Sequence, residues 1–126
     1  MVKPVSTVLL AASLLLGNFA AQAAELLILE QKGCVWCQRW NEEIGPVYPK
    51  TDLATRAPLR RVDIDKPWPD DLSNVRKDVF TPTFVLIDGG EEIARMRGYS
   101  GDEFFWFLLE EMLSKLNGGE QSDRAS

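Results

Sequence analysis

The chain has two cysteines, spaced as Cys34-Val35-Trp36-Cys37, and they fall between an apolar run, Leu26-Leu27-Ile28-Leu29, and a helical segment, Gln38 to Ile44. That placement constrains both fold and chemistry. A Cys-x-x-Cys pair where a strand passes into a helix is a recognised dithiol/disulfide exchange site, with one sulfur at the helix start and the other one turn further in. Three plainer readings compete. A closed zinc site takes about four protein ligands, and this chain offers two thiols and no His. A structural staple is inefficient at this spacing, because a four-residue ring constrains the unfolded chain by roughly 2 kcal/mol against about 3 for fifteen residues. A pair of ordinary buried thiols is the third. Exchange chemistry uses the spacing best, and a static bridge stays open beside it.

The N-terminus fits an oxidising compartment. Lys3 gives a positive start, Val8 to Leu16 an apolar stretch, and Ala21-Gln22-Ala23 a small-x-small cleavage site, which together read as a signal peptide over residues 1–23. The stretch is too short for a permanent span of about 20 residues. No Cys follows it for lipid attachment and no twin arginine precedes it, so export through the general pathway to a bacterial periplasm is expected, where disulfides persist. Residues 24–117 then form one domain, and the polar, glycine-bearing residues 118–126 are expected to fray as a flexible tail. Net charge is −5, and the leader carries a Lys and no acid, so the mature domain is more acidic still. Without a basic stripe, direct nucleic-acid binding is not expected.

Leu26 to Glu30 reads as a buried strand, followed by a helix with Trp36, Trp40 and Ile44 on one side and Gly45-Pro46 at its end. Residues 48–57 resume a helix before Pro58. Residues 59–65 alternate as a strand with Val62 and Ile64 on one side, and Asp70 to Lys77 reads as a helix with its charges ordered to suit the dipole. Thr83 to Ile87 is a core strand, Asp88-Gly89-Gly90-Glu91 a hairpin turn, and Glu92 to Arg97 the returning strand. Ser100-Gly101-Asp102-Glu103 spells a capping box for a last helix whose apolar face carries Phe104, Phe105, Leu108, Met112 and Leu116. A parallel pair, an antiparallel hairpin and a closing helix make an α/β fold, a mixed four-stranded sheet with helices on both faces.

With Thr81-Pro82-Thr83 at the start of the central strand and Gly98 after the hairpin, the dithiol between strand and helix resembles the thioredoxin fold over Leu26 to Leu116. The run from Leu29 to Trp40 and the segment Val62-Asp63-Ile64-Asp65-Lys66-Pro67 resemble, more narrowly, the periplasmic thioredoxins of sulfur-oxidation systems, the SoxS type. The resemblance implies a cis Thr81-Pro82 bond facing the dithiol, with the Thr81 backbone open to an extended substrate strand and Gly98 beside the groove. It also implies a reductant acting on a protein disulfide or cysteine, such as that of a sulfur-carrier protein. In an oxidising space such a reductant needs a membrane thiol-electron transporter as donor. No cofactor or metal is expected, and nothing in the chain asks for more than a monomer. One departure stands out: thioredoxins hold a buried acid six residues before the first motif cysteine, and here that position is Ile28.

The residues themselves suggest the division of labour. Cys34, at the helix N-terminus, has the amides and dipole that stabilise a thiolate, so it is the expected nucleophile, and Cys37, shielded by the helix, resolves the mixed disulfide. Trp36 is expected on the contact rim. Glu30 is the candidate proton relay in place of the missing acid, against the plainer reading of a solvated strand-end carboxylate. Lys32 and Arg39 are candidates for positive potential near the thiolate, or simply solvated charges. The Val-Trp dipeptide does not decide between a reductase and a thiol oxidase, although the absence of His favours the reductase.

Overall fold

The computed structural model describes Val2 and residues 24–124, with side chains in the last helix as far as Leu116. Apart from Val2, the leader expected over residues 1–23 lies outside the described residues. Four strands, β1 (Glu25–Glu30), β2 (Leu59–Asp63), β3 (Thr83–Asp88) and β4 (Glu91–Arg97), form one sheet in the order β2-β1-β3-β4. β1 runs parallel to β2 and antiparallel to β3, and β3 pairs antiparallel with β4.

The unbroken apolar run of β1 follows from its central place. Leu26 and Ile28 enter one core and Leu27 and Leu29 the other, all fully buried, as a strand covered on both faces requires. The first core takes Trp40 and Ile44 from α1 (Val35–Glu43), together with Phe105, Leu109, Met112 and Leu113 from the last helix, α3 (Asp102–Arg124). Trp40, Phe84 and Phe105 meet there with ring centroids 5.1–5.6 Å apart, in the tilted and edge-on arrangements that aromatic quadrupoles favour. Gly89 and Gly90, at φ +59° and +81°, supply the two left-handed residues of the β3–β4 hairpin turn.

Several expectations need correction. The helix expected over Asp70 to Lys77 is one 3₁₀ turn, Asp70–Leu72. The backbone closes tight i→i+3 turns, with the Leu72 carbonyl accepting from the Val75 amide (2.9 Å) as well as from Trp68 Nε1 (2.8 Å), and the Arg76 carbonyl accepts from Arg95 (2.6 Å). Leu72 and Val75 are drawn instead onto the second sheet face beside Val62, Ile64 and Trp68. That face is therefore covered by an irregular segment, and the described α-helices pack on the first. Residues 48–57 split into a 3₁₀ turn, Tyr48–Lys50, and a short helix, α2 (Asp52–Arg56), because the Thr51 hydroxyl caps the latter by accepting from the Ala54 amide (3.2 Å).

The capping box does not form as spelled. α3 begins at Asp102, after Gly101 at φ +109°, and the Asp102 carboxylate accepts from the Glu103 amide (2.8 Å). Its buried face is Phe105, Leu109, Met112 and Leu113, while Phe104 and Leu108 are exposed. The helical backbone continues to Arg124, through Gly118 and Gly119. Glycine weakens a helix by about 1 kcal/mol per residue without removing its amide, so position 118 is not marked by a helix end.

Candidate active site

Cys34 is the N-cap of α1, in an extended conformation (φ −78°, ψ 105°), and its Sγ accepts a hydrogen bond from the Cys37 amide at 3.1 Å. Gly33, at φ +80°, makes the turn into it, and the Cys34 amide donates to the Gln31 carbonyl (3.4 Å). The two cysteines form a disulfide with Cα atoms 5.2 Å apart. Their environments differ: Cys34 is half-buried, whereas Cys37 is 3% exposed. Val35 and Trp36, between them, stand out into solvent, with Trp36 52% exposed. Trp36 therefore leaves the apolar side on which Trp40 and Ile44 pack.

The Thr81-Pro82 peptide bond is cis, as the resemblance implies. The Gln31 side-chain amide donates to Thr81 Oγ1 at 3.0 Å, joining the turn before Cys34 to the start of β3. Gly98, at φ +82°, donates its amide to the Pro82 carbonyl (2.7 Å). A Cβ at Gly98 would lie 3.5 Å from the Phe80 ring, so Phe80 walls the groove at that point. Behind it, the buried Asp78 carboxylate accepts from the Phe80 amide (3.1 Å), Arg97 Nε (2.8 Å) and Arg95 Nη1 (3.1 Å). Burial alone would raise the Asp78 carboxyl, but the Phe80 amide and the two guanidiniums outweigh it and hold it below the usual carboxylate range.

Glu30 ends β1 and is gripped by Arg61, whose Nη1 donates to both carboxylate oxygens at 3.1 and 2.9 Å. Arg61 also lies 5.9 Å above the Trp40 ring, a cation–π distance. Ile28, at the position of the missing acid, is wholly buried. Lys32 is exposed. Arg39 is committed to Glu43 (2.8 Å) and stacks 5.6 Å from the Trp36 ring. Glu43 in turn accepts from the Tyr99 hydroxyl. Trp68 packs against the second core, its Nε1 donating to the Leu72 carbonyl (2.8 Å).

Reasoning from sequence singled out Cys34, Cys37, Thr81, Pro82, Gly98, Trp36 and Glu30. It passed over Gln31, Asp78, Phe80 and Glu43, and it named Arg39 only as a source of positive potential, without the Glu43–Tyr99 link. Arg95 and Arg97, two apart and hence on one side of a strand, were a legible sign of an acid opposite them.

A sulfur pair presented at a helix start on a β2-β1-β3-β4 sheet, across from a cis-prolyl strand start, defines the thioredoxin-type thiol–disulfide oxidoreductases. The chain belongs to the thioredoxin family. It is 43% identical to the periplasmic thioredoxin SoxS from Paracoccus pantotrophus (reduced form), over 74% of this chain and 98% of that one, with a TM-score of 0.70. The fold is shared with a thioredoxin from Thermus thermophilus, at 23% identity, 79% coverage of each chain and TM-score 0.59. It is shared also with a Malassezia sympodialis thioredoxin, at 19% identity, 74% and 77% coverage and TM-score 0.55. No family model and no curated protein matches the chain.

Proposed function

We propose that the protein is exported after cleavage behind Ala23 and works in the periplasm as a monomeric reductant of a protein partner. The observation that carries the reading is the unequal exposure of the two sulfurs, Cys34 half-buried at the helix cap and Cys37 beneath it. In the reduced protein the Cys37 amide and the helix end favour a Cys34 thiolate. That thiolate attacks one sulfur of the partner's disulfide, and the other sulfur leaves as a thiolate. Cys37, losing its proton, then attacks Cys34 Sγ and releases the partner's second thiol. Two electrons pass to the partner and the Cys34–Cys37 disulfide results. A membrane thiol-electron transporter restores the dithiol.

Trp36, Thr81 and Gly98 frame the partner's extended segment. Glu30, on the same side of β1 as Ile28, takes the Cys37 proton. The likeness to a periplasmic thioredoxin supports the compartment, and the partner is a protein whose cysteine must be kept usable, such as a sulfur-carrier protein.

Redox titration of the mature domain against glutathione, followed by insulin reduction, tests the reading. A potential near about −270 mV with turnover supports a reductase, a value near about −120 mV an oxidase, and one below about −300 mV without exchange a static bridge.

A further inference from the structure

The exposed large apolar side chains are not scattered over the described domain. Val47 apart, they sit at the start of α1 between the two cysteines (Val35, Trp36), just before the cis-prolyl bond (Val79, Phe80) or on the first two turns of α3 (Phe104, Phe107, Leu108). Exposed apolar side chains gathered in this way mark an interaction surface. The last two groups are joined at Gly98. Phe80 flanks this glycine on one side, and on the other a narrow cleft of about 50 Å³ is lined by Gly98, Met96, Tyr99, Phe104 and Leu108. Phe104 also lines a second, more open hollow of about 200 Å³ with Phe107 and Glu103.

Phe104, Phe107 and Leu108 form an i, i+3, i+4 stripe, and its continuation along the helix is Glu111 and Lys115, both exposed. The apolar exposure thus ends where the helix leaves the groove. A face evolved to close a helix bundle or to bind a second copy along α3 has no reason to stop there. One reaching outward from the exchange site does.

We propose that this stretch of α3 is an extension of the groove, occupied by the segment flanking the partner's reactive cysteine. That segment carries an apolar side chain, seated against Phe104 and Phe107, with a basic neighbour. The charge follows from the surroundings: Asp102, Glu103, Glu110 and Glu111 are exposed around the stripe, against Lys115 and Arg97, the latter already paired with Asp78. The proposal rests on the exchange reading above and names the chemistry of its partner. Cys34 alone engages any accessible disulfide, and the α3 stripe selects among them.

Glutathione-blocked peptides, each with one cysteine in a polar background and a Phe-Lys pair stepped along either side, provide the probe. The rate at which they oxidise the reduced full domain is read as loss of the protein's own two thiols, by quenched alkylation and mass of the intact protein. At one spacing the Phe-Lys peptide should exceed its Ser-Ser counterpart in kcat/KM by about tenfold, the scale of one well-buried apolar side chain. Phe104→Ser combined with Phe107→Ser should bring that ratio to within about twofold, leaving oxidation by glutathione disulfide unchanged. Both phenylalanines lie outside the core, so the variant should fold, with an unaltered melting curve as the check.

No dependence on spacing, or an advantage that survives the double variant, overturns the proposal. So does sedimentation showing a dimer that the same substitutions dissociate, which would give the stripe to a second copy. Inertness toward glutathione disulfide and every peptide would remove the exchange reading and this proposal together, whereas brisk but spacing-blind oxidation removes this one alone.

Discussion

The Tyr99 hydroxyl donates a hydrogen bond to the Glu43 carboxylate, so the residue after Gly98 is tied to the last turn of the helix that begins at Cys34. Burial, and after it the hydrogen bond to Glu43, push the Tyr99 phenol well above its ordinary value. The Tyr99 hydroxyl, and after it Arg39, hold Glu43 below its own. A phenol raised on folding stabilises the protein fully below about pH 10 and loses that contribution as pH climbs beyond it. Tyr99→Phe should lower the melting temperature by a few degrees at neutral pH and flatten the alkaline fall in stability. Parallel melting curves for variant and parent from pH 7 to 11 would refute the coupling.

Asp78 gives the opposite sign. Its folded-state pKa is depressed, so its contribution is complete above the unfolded value of about 3.9 and disappears as pH falls through the folded one. Asp78→Asn removes the buried carboxylate that Arg95 and Arg97 share, and leaves Arg95, whose side chain is 9% exposed, with Glu92 as its remaining charged partner. With Glu92 still in place, the cost is that of lost charge-assisted hydrogen bonds, about 2 kcal/mol. Urea unfolding at pH 7 should show the loss, and the acid limb of stability should become shallower in the variant. An unchanged midpoint would mean that solvent already screens the cluster.

The bond from Gln31 to Thr81 sets the distance between the sulfur-bearing turn and the edge offered by β3. One net hydrogen bond is worth about 1 kcal/mol, or roughly fivefold. Gln31→Ala should raise KM for a peptide disulfide by about that factor, with kcat and the redox potential left in place. Adding Thr81→Val should cost little more, since the same bond is already lost. Additive effects of the two substitutions would show that they act separately.

Cys37→Ser should accumulate a mixed disulfide through Cys34 when mixed with a protein disulfide, because the resolving sulfur is gone. Cys34→Ser should accumulate almost none, since Cys37 is buried. Comparable trapping by both, seen on a non-reducing gel, would abolish the assignment of roles.

If Glu30 accepts the Cys37 proton, Glu30→Gln should shift the rise of the resolution rate toward higher pH. Stopped-flow release of partner thiol across pH 5–9 reads this directly. An unmoved profile would leave Glu30 as the counter-ion of Arg61 and nothing more.

The strands were readable because their signals are local: the β1 run is apolar on both faces, and two glycines mark the hairpin. The segment from Asp70 to Lys77 has good helical ends, but the Arg76 carbonyl is claimed by Arg95, 19 residues on, and Leu72 and Val75 are drawn onto a sheet face that no local window contains. In α3 the six residues from Phe104 to Leu109 are all apolar, so periodicity cannot choose the inward face there. The same split holds at the site. Cys34, Cys37 and Pro82 belong to short motifs, whereas Gln31–Thr81 and Tyr99–Glu43 join residues 50 and 56 apart in sequence. Polar side chains take their roles from distant partners, and only the folded chain supplies those.

Trp36 lies within the two-residue bridge between the sulfurs and is half in solvent, with the Arg39 guanidinium against its ring. The molecule therefore carries its own optical gauge, an indole whose surroundings change whenever electrons arrive or depart. Its emission should report the redox state of the native protein in real time, with no dye attached.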